Sequence, residues 1–511
     1  MIPRVAIRVD ASATIGTGHL KRCLSLAQAL AEAGADIRIV CRRIDAVACQ
    51  LMTGVSESVC WLPAPADALK PEPEDPPHAA WAGVPQTQDA HETAGALSDW
   101  SADWVVVDHY AFDARWHGAV REALGCRVLV IDDTADRSLA PDALMDQNWD
   151  ADHRAKYAGR LQREPLRLCG PRFALLSAAY RNAPRHAFHD AVRSVGVFMG
   201  GTDPGGISAR VLAACRAAGF AGTVEVVSTS ANPHLDALRR VCAADVAVTL
   251  TLDQPDLAAF FARHDLQIGA GGGATWERCC MGAPTVAMAL AANQSAVVPG
   301  LAALGAVRAA EEATLPGVLR ELIASAAARR ALSESAAALV DGRGAQRVAL
   351  ALLRDRVGLR PAAAEDARLL HGWRNHPHVR AVSTTQDPID FEAHRRWLQA
   401  VLANPARWLF VAQVGRTPVG SIRWDSLDEG RFEVSLYTDP DLQGLGLGQR
   451  VLAVGEQALL AHHPQGFTSV ASVLHGNSAS QRLFEAAGYR GGPLQYLKTV
   501  GPRPTPELTA P

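Results

Sequence analysis

A chain of 511 residues exceeds what one hydrophobic core ordinarily organises, so several folded units are expected. Its 48% hydrophobic and 20% charged residues are globular proportions, which exclude a disordered or fibrous chain. A formal net charge of -3 leaves no basic footprint for nucleic acid, and a small-molecule partner is the expectation.

Met1-Ile2-Pro3-Arg4 leads straight into the strand-like Val5–Val9 without a secretory apolar region, and no later span reads as a membrane helix. A cytoplasmic protein is expected. Strand-like runs recur at Ile37–Cys41, Trp104–Val107 and Val128–Ile131, separated by amphipathic stretches, the signature of a parallel sheet with crossover helices. Between Leu62 and Leu97, by contrast, Pro, Ala, Asp and Glu dominate. The run Lys70-Pro71-Glu72-Pro73-Glu74-Asp75-Pro76-Pro77 cannot hold regular structure, and the whole stretch reads as a mobile surface insertion.

In Val9-Asp10-Ala11-Ser12-Ala13-Thr14-Ile15-Gly16-Thr17-Gly18-His19, a strand ends, a glycine-containing loop follows, and an amphipathic helix runs to about Ala33, stopped by Gly34. Parallel sheets bind ligands at the carboxyl ends of their strands, and a helix start offers unpaired N–H groups to phosphate. Gly16 and Gly18 let a ligand approach the backbone closely. His19 falls in the first helical turn, where the dipole favours the neutral ring that accepts a proton from water; it is the candidate general base.

A second series of strands runs through Ser194–Met199, Val224–Val227, Val246–Leu250, Leu266–Ile268 and Pro284–Met288, which makes a second Rossmann-like domain the economical reading. Gly271-Gly272-Gly273-Ala274-Thr275, before a helix, can offer N–H donors to a departing diphosphate, and Glu277 follows in that helix. All ten cysteines lie between Cys23 and Cys280 with no C-x-x-C pair, so reduced thiols are expected, and Cys279-Cys280 suits helix packing better than a metal or redox site. The alanine-rich helical stretch Glu311–Leu353 gives way at Val357-Gly358-Leu359-Arg360-Pro361, where the pattern resets.

In the last third, the strand-like Arg431–Tyr437 leads to Asp441-Leu442-Gln443-Gly444-Leu445-Gly446-Leu447-Gly448-Gln449-Arg450 and a helix. Successive N–H groups there can wrap a pyrophosphate, with Arg450 adding charge. Glu433 on the strand is the natural base for stripping a proton from an amine, directly or through water.

Together with Asp108-His109-Tyr110, Ile131-Asp132-Asp133, Phe198-Met199-Gly200-Gly201-Thr202-Asp203-Pro204 and Gly269–Glu277, the His19 loop resembles the UDP-2,4-diacetamido-2,4,6-trideoxy-β-L-altropyranose hydrolases over roughly residues 1–350. That family is related to the two-Rossmann (GT-B) glycosyltransferases. The resemblance implies transfer of the sugar to water with inversion and anomeric C–O cleavage, releasing UDP without a metal ion. It implies substrate contacts from Gly16, Gly18, Tyr110, Gly201, Thr275, Glu277, Asn293 and Gln294, with Glu277 on the ribose hydroxyls and Asn293-Gln294 on the sugar. Ser177-Ala178-Ala179-Tyr180 departs from the family's charged, proline-containing stretch.

Roughly residues 358–498 resemble the GCN5-related N-acetyltransferases (GNAT), on the glycine loop, the strand Thr468–Leu474 and Asn477–Tyr489. Trp373-Arg374-Asn375-His376-Pro377 and His394-Arg395-Arg396-Trp397 look like the acceptor-shaping helices of the branch that includes ribosomal-protein and 4-amino-sugar acetyltransferases. This implies acetyl-CoA as co-substrate, held by Gln443, Gly444, Gly446, Gly448, Gln449, Arg450 and Asn477, with a UDP-linked amino sugar as acceptor. Phe484 stands where the family often has an acid tyrosine, and Tyr489 is expected to pack.

The expected fold class is α/β: two Rossmann-like domains in a GT-B arrangement (1–180 and 181–355), then a mixed α/β GNAT domain (356–505). The two resemblances name consecutive steps of pseudaminic acid synthesis, with no metal, membrane or obligate protein partner. Two rival readings stay open: a glycosyltransferase with the same nucleotide cleft, and a binding module without turnover.

Overall fold

Short β-branched runs alternate with amphipathic stretches through the first 170 residues, and the chain folds as that alternation dictates. Strands β1 (Arg4–Val9), β2 (Asp36–Arg42), β3 (Val59–Leu62), β4 (Trp104–Asp108), β5 (Arg127–Ile131), β6 (Ala143–Asp146) and β7 (Leu166–Cys169) form one parallel sheet in the order β3-β2-β1-β4-β5-β6-β7. The computed structural model describes residues 2–52, 58–428, 430–491 and 495–501; the expected domain end at residue 505 lies outside them. Contacts divide the chain into two units, one running to Val348 apart from Glu32–Gly34, the other beginning at Ala349.

The strand order reverses between β1 and β4, the place where open parallel sheets part their loops and receive ligands. The helix Gly18–Glu32 follows β1 and buries Leu20, Cys23, Leu26 and Leu30 as one stripe. Phe112 and Trp116 stack 4.9 Å apart beneath β4 and β5. Burying a ring of Trp116's size removes on the order of 200 Å² from water, roughly 5 kcal/mol in transfer terms.

The reading of 62–97 as an insertion without regular structure is overturned. The proline run does lack helix or strand, but a 3-10 turn forms at Ala79–Ala82 and a helix at Gln86–Leu97. The reason is a buried charge. Asp89, wholly enclosed, accepts from Arg8 (2.6 and 3.0 Å), Arg42 (2.7 Å) and the Trp116 indole (3.0 Å), while Ala82, Ala90 and Leu97 join the core.

The second sheet comprises β8 (Ser194–Phe198), β9 (Thr223–Ser228), β10 (Val248–Leu252), β11 (Leu266–Ala270), β12 (Thr285–Met288) and β13 (Arg308–Ala309), all parallel, ordered β10-β9-β8-β11-β12-β13. It repeats the device of the first, reversing between β8 and β11. Cys279 and Cys280 lie buried in the helix Ala274–Met281 within a cluster that includes Trp276, Phe260 and Phe261, and all ten cysteines are free thiols. The alanine-rich stretch resolves into three helices, Leu315–Ala324, Ala326–Leu339 and Gly344–Leu352.

The second unit is built on β14 (Val357–Pro361), β15 (Arg407–Val414), β16 (Thr417–Asp428), β17 (Arg431–Thr438), β18 (Phe467–Ser472), β19 (Arg490–Gly491) and β20 (Gln495–Val500), ordered β14-β15-β16-β17-β18-β20-β19. Its pairs are antiparallel except β17 with β18. Leu370, Trp373, Leu398 and Val401, from the helices Ala367–Asn375 and Phe391–Leu402, pack on Leu409 and Val411 of β15. Among the described residues no helix is long and apolar enough to cross a membrane.

Candidate active sites

The crevice at the β1/β4 reversal gathers most of the residues singled out in the first sheet. Gly16 turns the loop after β1 through the left-handed region (φ +81°), its N–H bonding the Ser12 carbonyl at 2.8 Å, and Gly18 starts the helix that carries His19. Asp108, the last residue of β4, meets His19 from the neighbouring strand: Asp108 Oδ1 lies 2.6 Å from His19 Nδ1.

Asp108 is fully enclosed. Burial pushes its carboxyl up, but the Arg22 guanidinium and the His19 ring overcome that and hold it well below the usual carboxylate range. Arg22, one helical turn after His19, reaches both carboxylate oxygens at 2.6 Å. An ionised carboxylate only accepts, so the contact calls for a hydrogen on Nδ1 of His19, and in the neutral ring that leaves Nε2 as the acceptor. A histidine so oriented can take a proton at Nε2 while the carboxylate steadies the charge that develops on the ring.

Tyr110 stands edge-on to His19 with ring centroids 4.8 Å apart, under the Arg137 guanidinium at 5.6 Å. Its hydroxyl donates to Asp133 Oδ1; burial and that carboxylate push its pKa well up. Asp133 also accepts from Asn148 (3.0 Å), and Asn148 Oδ1 accepts from the indole of Trp276 (3.2 Å). A polar chain thus runs from the His19 neighbourhood to the helix beside β11. Two further rings border the site: Trp81, 6.2 Å from His19, and His78, 5.6 Å from Tyr110.

At the β8/β11 reversal the second group assembles. Gly201 leaves β8, with its carbonyl accepting from Thr229 at 2.6 Å, while Asp203 is committed to the N–H groups of Ile207 (2.8 Å) and Ser208 (2.9 Å). Thr275 is wholly buried: its hydroxyl donates to the Ala270 carbonyl (3.2 Å) and accepts from Arg278 (3.0 Å), and its N–H bonds Gly272. It shapes the glycine turn from within. The N–H groups of Gly272 and Gly273 have no backbone carbonyl partner among the described loop residues and can serve a ligand.

Glu277 is half-buried in the same helix. Burial pushes its carboxyl up, opposed by the Tyr180 hydroxyl and by Lys21. Gln294 flanks the glycines, its amide nitrogen 3.5 Å from where a β-carbon on Gly272 would lie and its carbonyl accepting from Leu290 N–H at 2.9 Å. Asn293 is exposed beside it.

In the second unit the pairing of β17 with β18 lasts only from Arg431 to Glu433 against Thr468 to Val470, after which the strands part. Glu433 stands at this fork, its Oε1 accepting from Ser472 at 2.7 Å. Unpaired strand edges in such a fork need partners, and an extended amide-bearing ligand can supply them. The chain leaving β17 turns through Gly444 (φ +80°) and Gly446 (φ +76°), a left-handed path closed to most side chains, and enters the helix Leu447–His462. That helix's first N–H groups have no carbonyl one turn back, so this geometry fits a pyrophosphate.

Gln443 is exposed on this loop and Gln449 in the first turn of the helix, where Gly448 packs against Leu483. Arg450 is half-exposed and pairs with Asp355 at 2.5 Å. Asn477 caps the helix Ser478–Ala486 by accepting from Ser480 N–H at 3.1 Å. Phe484 is buried against Tyr489, ring centroids 5.0 Å apart, and the Tyr489 hydroxyl is itself buried and paired with Ser469 at 2.7 Å.

The roles of Asp108, Arg22, Trp81 and His78 do not emerge from the sequence. Asp108 is visible there only as part of a motif. The readable signal for Arg22 is its i+3 spacing from His19; the aromatic pair lies in the stretch whose composition reads as an insertion.

Residues 356–490 match the model of the acetyltransferase (GNAT) domain. The spore coat polysaccharide biosynthesis protein SpsG of Bacillus subtilis (strain 168) is 28% identical over 195 residues, 36% of this chain and 57% of that protein. Acetyltransferase PseH of Campylobacter jejuni subsp. jejuni is 29% identical over 83 residues, 16% of this chain and 52% of that protein. The chain thus spans little more than half the length of each of these relatives. MurG of Acinetobacter baumannii is a structural neighbour with a TM-score of 0.46 and 14% identity, over 68% of this chain and 98% of that one. The C-terminal region therefore carries a GNAT domain on a mixed sheet, preceded by two Rossmann-like parallel sheets, the α/β class read from the sequence.

Proposed function

We propose that the chain is bifunctional in pseudaminic acid synthesis: its GNAT domain N-acetylates a UDP-linked 4-amino sugar, and its first 350 residues hydrolyse UDP-2,4-diacetamido-2,4,6-trideoxy-β-L-altrose to UDP and the free sugar. The observation that carries the hydrolase half is the His19–Asp108 pair at the strand-order reversal. His19 Nε2 takes a proton from water as the new O–C1 bond forms. The C1–O bond to phosphate breaks on the opposite face, inverting the anomeric centre, and UDP leaves with the electron pair toward the N–H groups of Gly272 and Gly273. Glu277 and Gln294 hold ribose and sugar in this reading.

In the acetyltransferase half, Glu433 accepts the ammonium proton, the freed amine attacks the thioester carbonyl, and the C–S bond breaks as the nitrogen passes its second proton to solvent. Phe484 has no proton to give and Tyr489 is occupied by Ser469, so solvent protonates the thiolate. A coupled assay tests both halves. The unacetylated sugar nucleotide and acetyl-CoA are supplied together, and mass spectrometry is expected to find free diacetamido sugar and UDP in chelator. Acetylated sugar nucleotide that accumulates intact would refute the hydrolase; acetylation of peptides but not of the sugar would refute the acceptor.

A further inference from the structure

Trp81 and His78 reach the His19 site from the segment between β3 and β4. Their rings lie 4.6 Å apart, and Trp81 stands 5.8 Å from Tyr110 at a 33° tilt, so the three form one curved aromatic surface with His19 at its edge. Trp81 is partly exposed. Its neighbours fix it. Ala79 and Ala82 on the same turn are buried, Pro65 packs against Gly83, and Asp89 on the following helix is locked by Arg8 and Arg42.

Partly exposed aromatic surface held rigid beside a candidate base is costly in water and suits a ligand with an apolar face and a polar rim. A hexopyranose has such a face in its axial C–H groups, and the proposed hydrolysis puts one against His19. We propose that Trp81, backed by His78 and Tyr110, is the stacking wall for the hexose of a nucleotide sugar and sets the preference for sugar nucleotide over free nucleotide. The inference rests on the nucleotide-sugar reading of this unit.

The test is calorimetric titration of UDP and of UDP-N-acetylglucosamine, a stable UDP-N-acetylhexosamine, into the full-length protein and into Trp81→Ala, Trp81→Phe and His78→Ala. Trp81→Ala is expected to weaken the sugar nucleotide about tenfold and leave UDP unchanged; Trp81→Phe keeps most of the affinity because it keeps a ring face. His78→Ala shows a smaller loss of the same kind. Full-length protein that binds neither compound would overturn the nucleotide-sugar reading and the wall with it. If it binds both, and Trp81→Ala loses them equally or loses neither, the wall alone is wrong.

Discussion

His19 and Asp108 sit on different elements 89 residues apart, yet Nδ1 and Oδ1 close to 2.6 Å because β1 and β4 are neighbours across the strand-order reversal. The carboxylate fixes which ring nitrogen stays free. Asp108→Asn removes the charge and lets the amide present either an acceptor or a donor to the ring. UDP release is expected to fall on the order of 10²- to 10⁴-fold in kcat, with UDP affinity by calorimetry unchanged. Equal losses in both would place Asp108 in the scaffold instead.

Asp89 ties the helix Gln86–Leu97 to β1 and β2. Burial opposes its charge, but Arg8 and Arg42 prevail and its pKa is lowered. A depressed native pKa stabilises the fold above the unfolded value of about 4; the contribution is lost as pH falls through the native value. Asp89→Asn removes the carboxylate that Arg8 and Arg42 share, leaving Arg8 to Asp10 and Arg42 to Glu92, and is expected to cost about 3 kcal/mol. Denaturant titrations at neutral and acid pH check it: the gap between wild type and variant should shrink as the medium turns acid.

Glu433→Gln keeps the bond to Ser472 within reach but removes the base. The acceptor amine must then lose its proton to solvent, so the deficit in acetyl transfer, about 10²-fold or more, should be largest at low pH and narrow as pH rises. A KM for acetyl-CoA that stays constant separates this from loss of the fork.

Phe484→Tyr, which supplies a hydroxyl at this position, should not raise acetylation. The ring is enclosed by Tyr489 and Tyr496, so the added hydroxyl enters an apolar contact and costs about 1–3 kcal/mol. Thermal unfolding and kcat measured side by side decide this.

The repeating strands of both parallel sheets are legible because buried parallel strands are continuous apolar runs: Val105-Val106-Val107 announces β4 as plainly as Val128-Leu129-Val130 announces β5. The four-residue strands β3, β6 and β7 are not, since Ala143–Asp146 and Leu166–Cys169 are too short to carry a period. The glycine loops are visible through their residue types. The partners of His19 are not: Asp108 approaches through sheet topology, and local spacing says nothing about which strands become neighbours. Composition misleads at Gln86–Leu97, where a helix without a strong apolar stripe is held by charge on Asp89.

Anyone shortening this protein by its composition would cut at the proline-rich run and discard the residues after it up to β4. The salt-linked helix makes that cut costly twice over, removing the carboxylate that Arg8 and Arg42 share and the ring that stands beside His19. Length can be spared in the exposed run 66–74, whereas the residues from His78 to Leu97 are walls and buttresses of the His19 site.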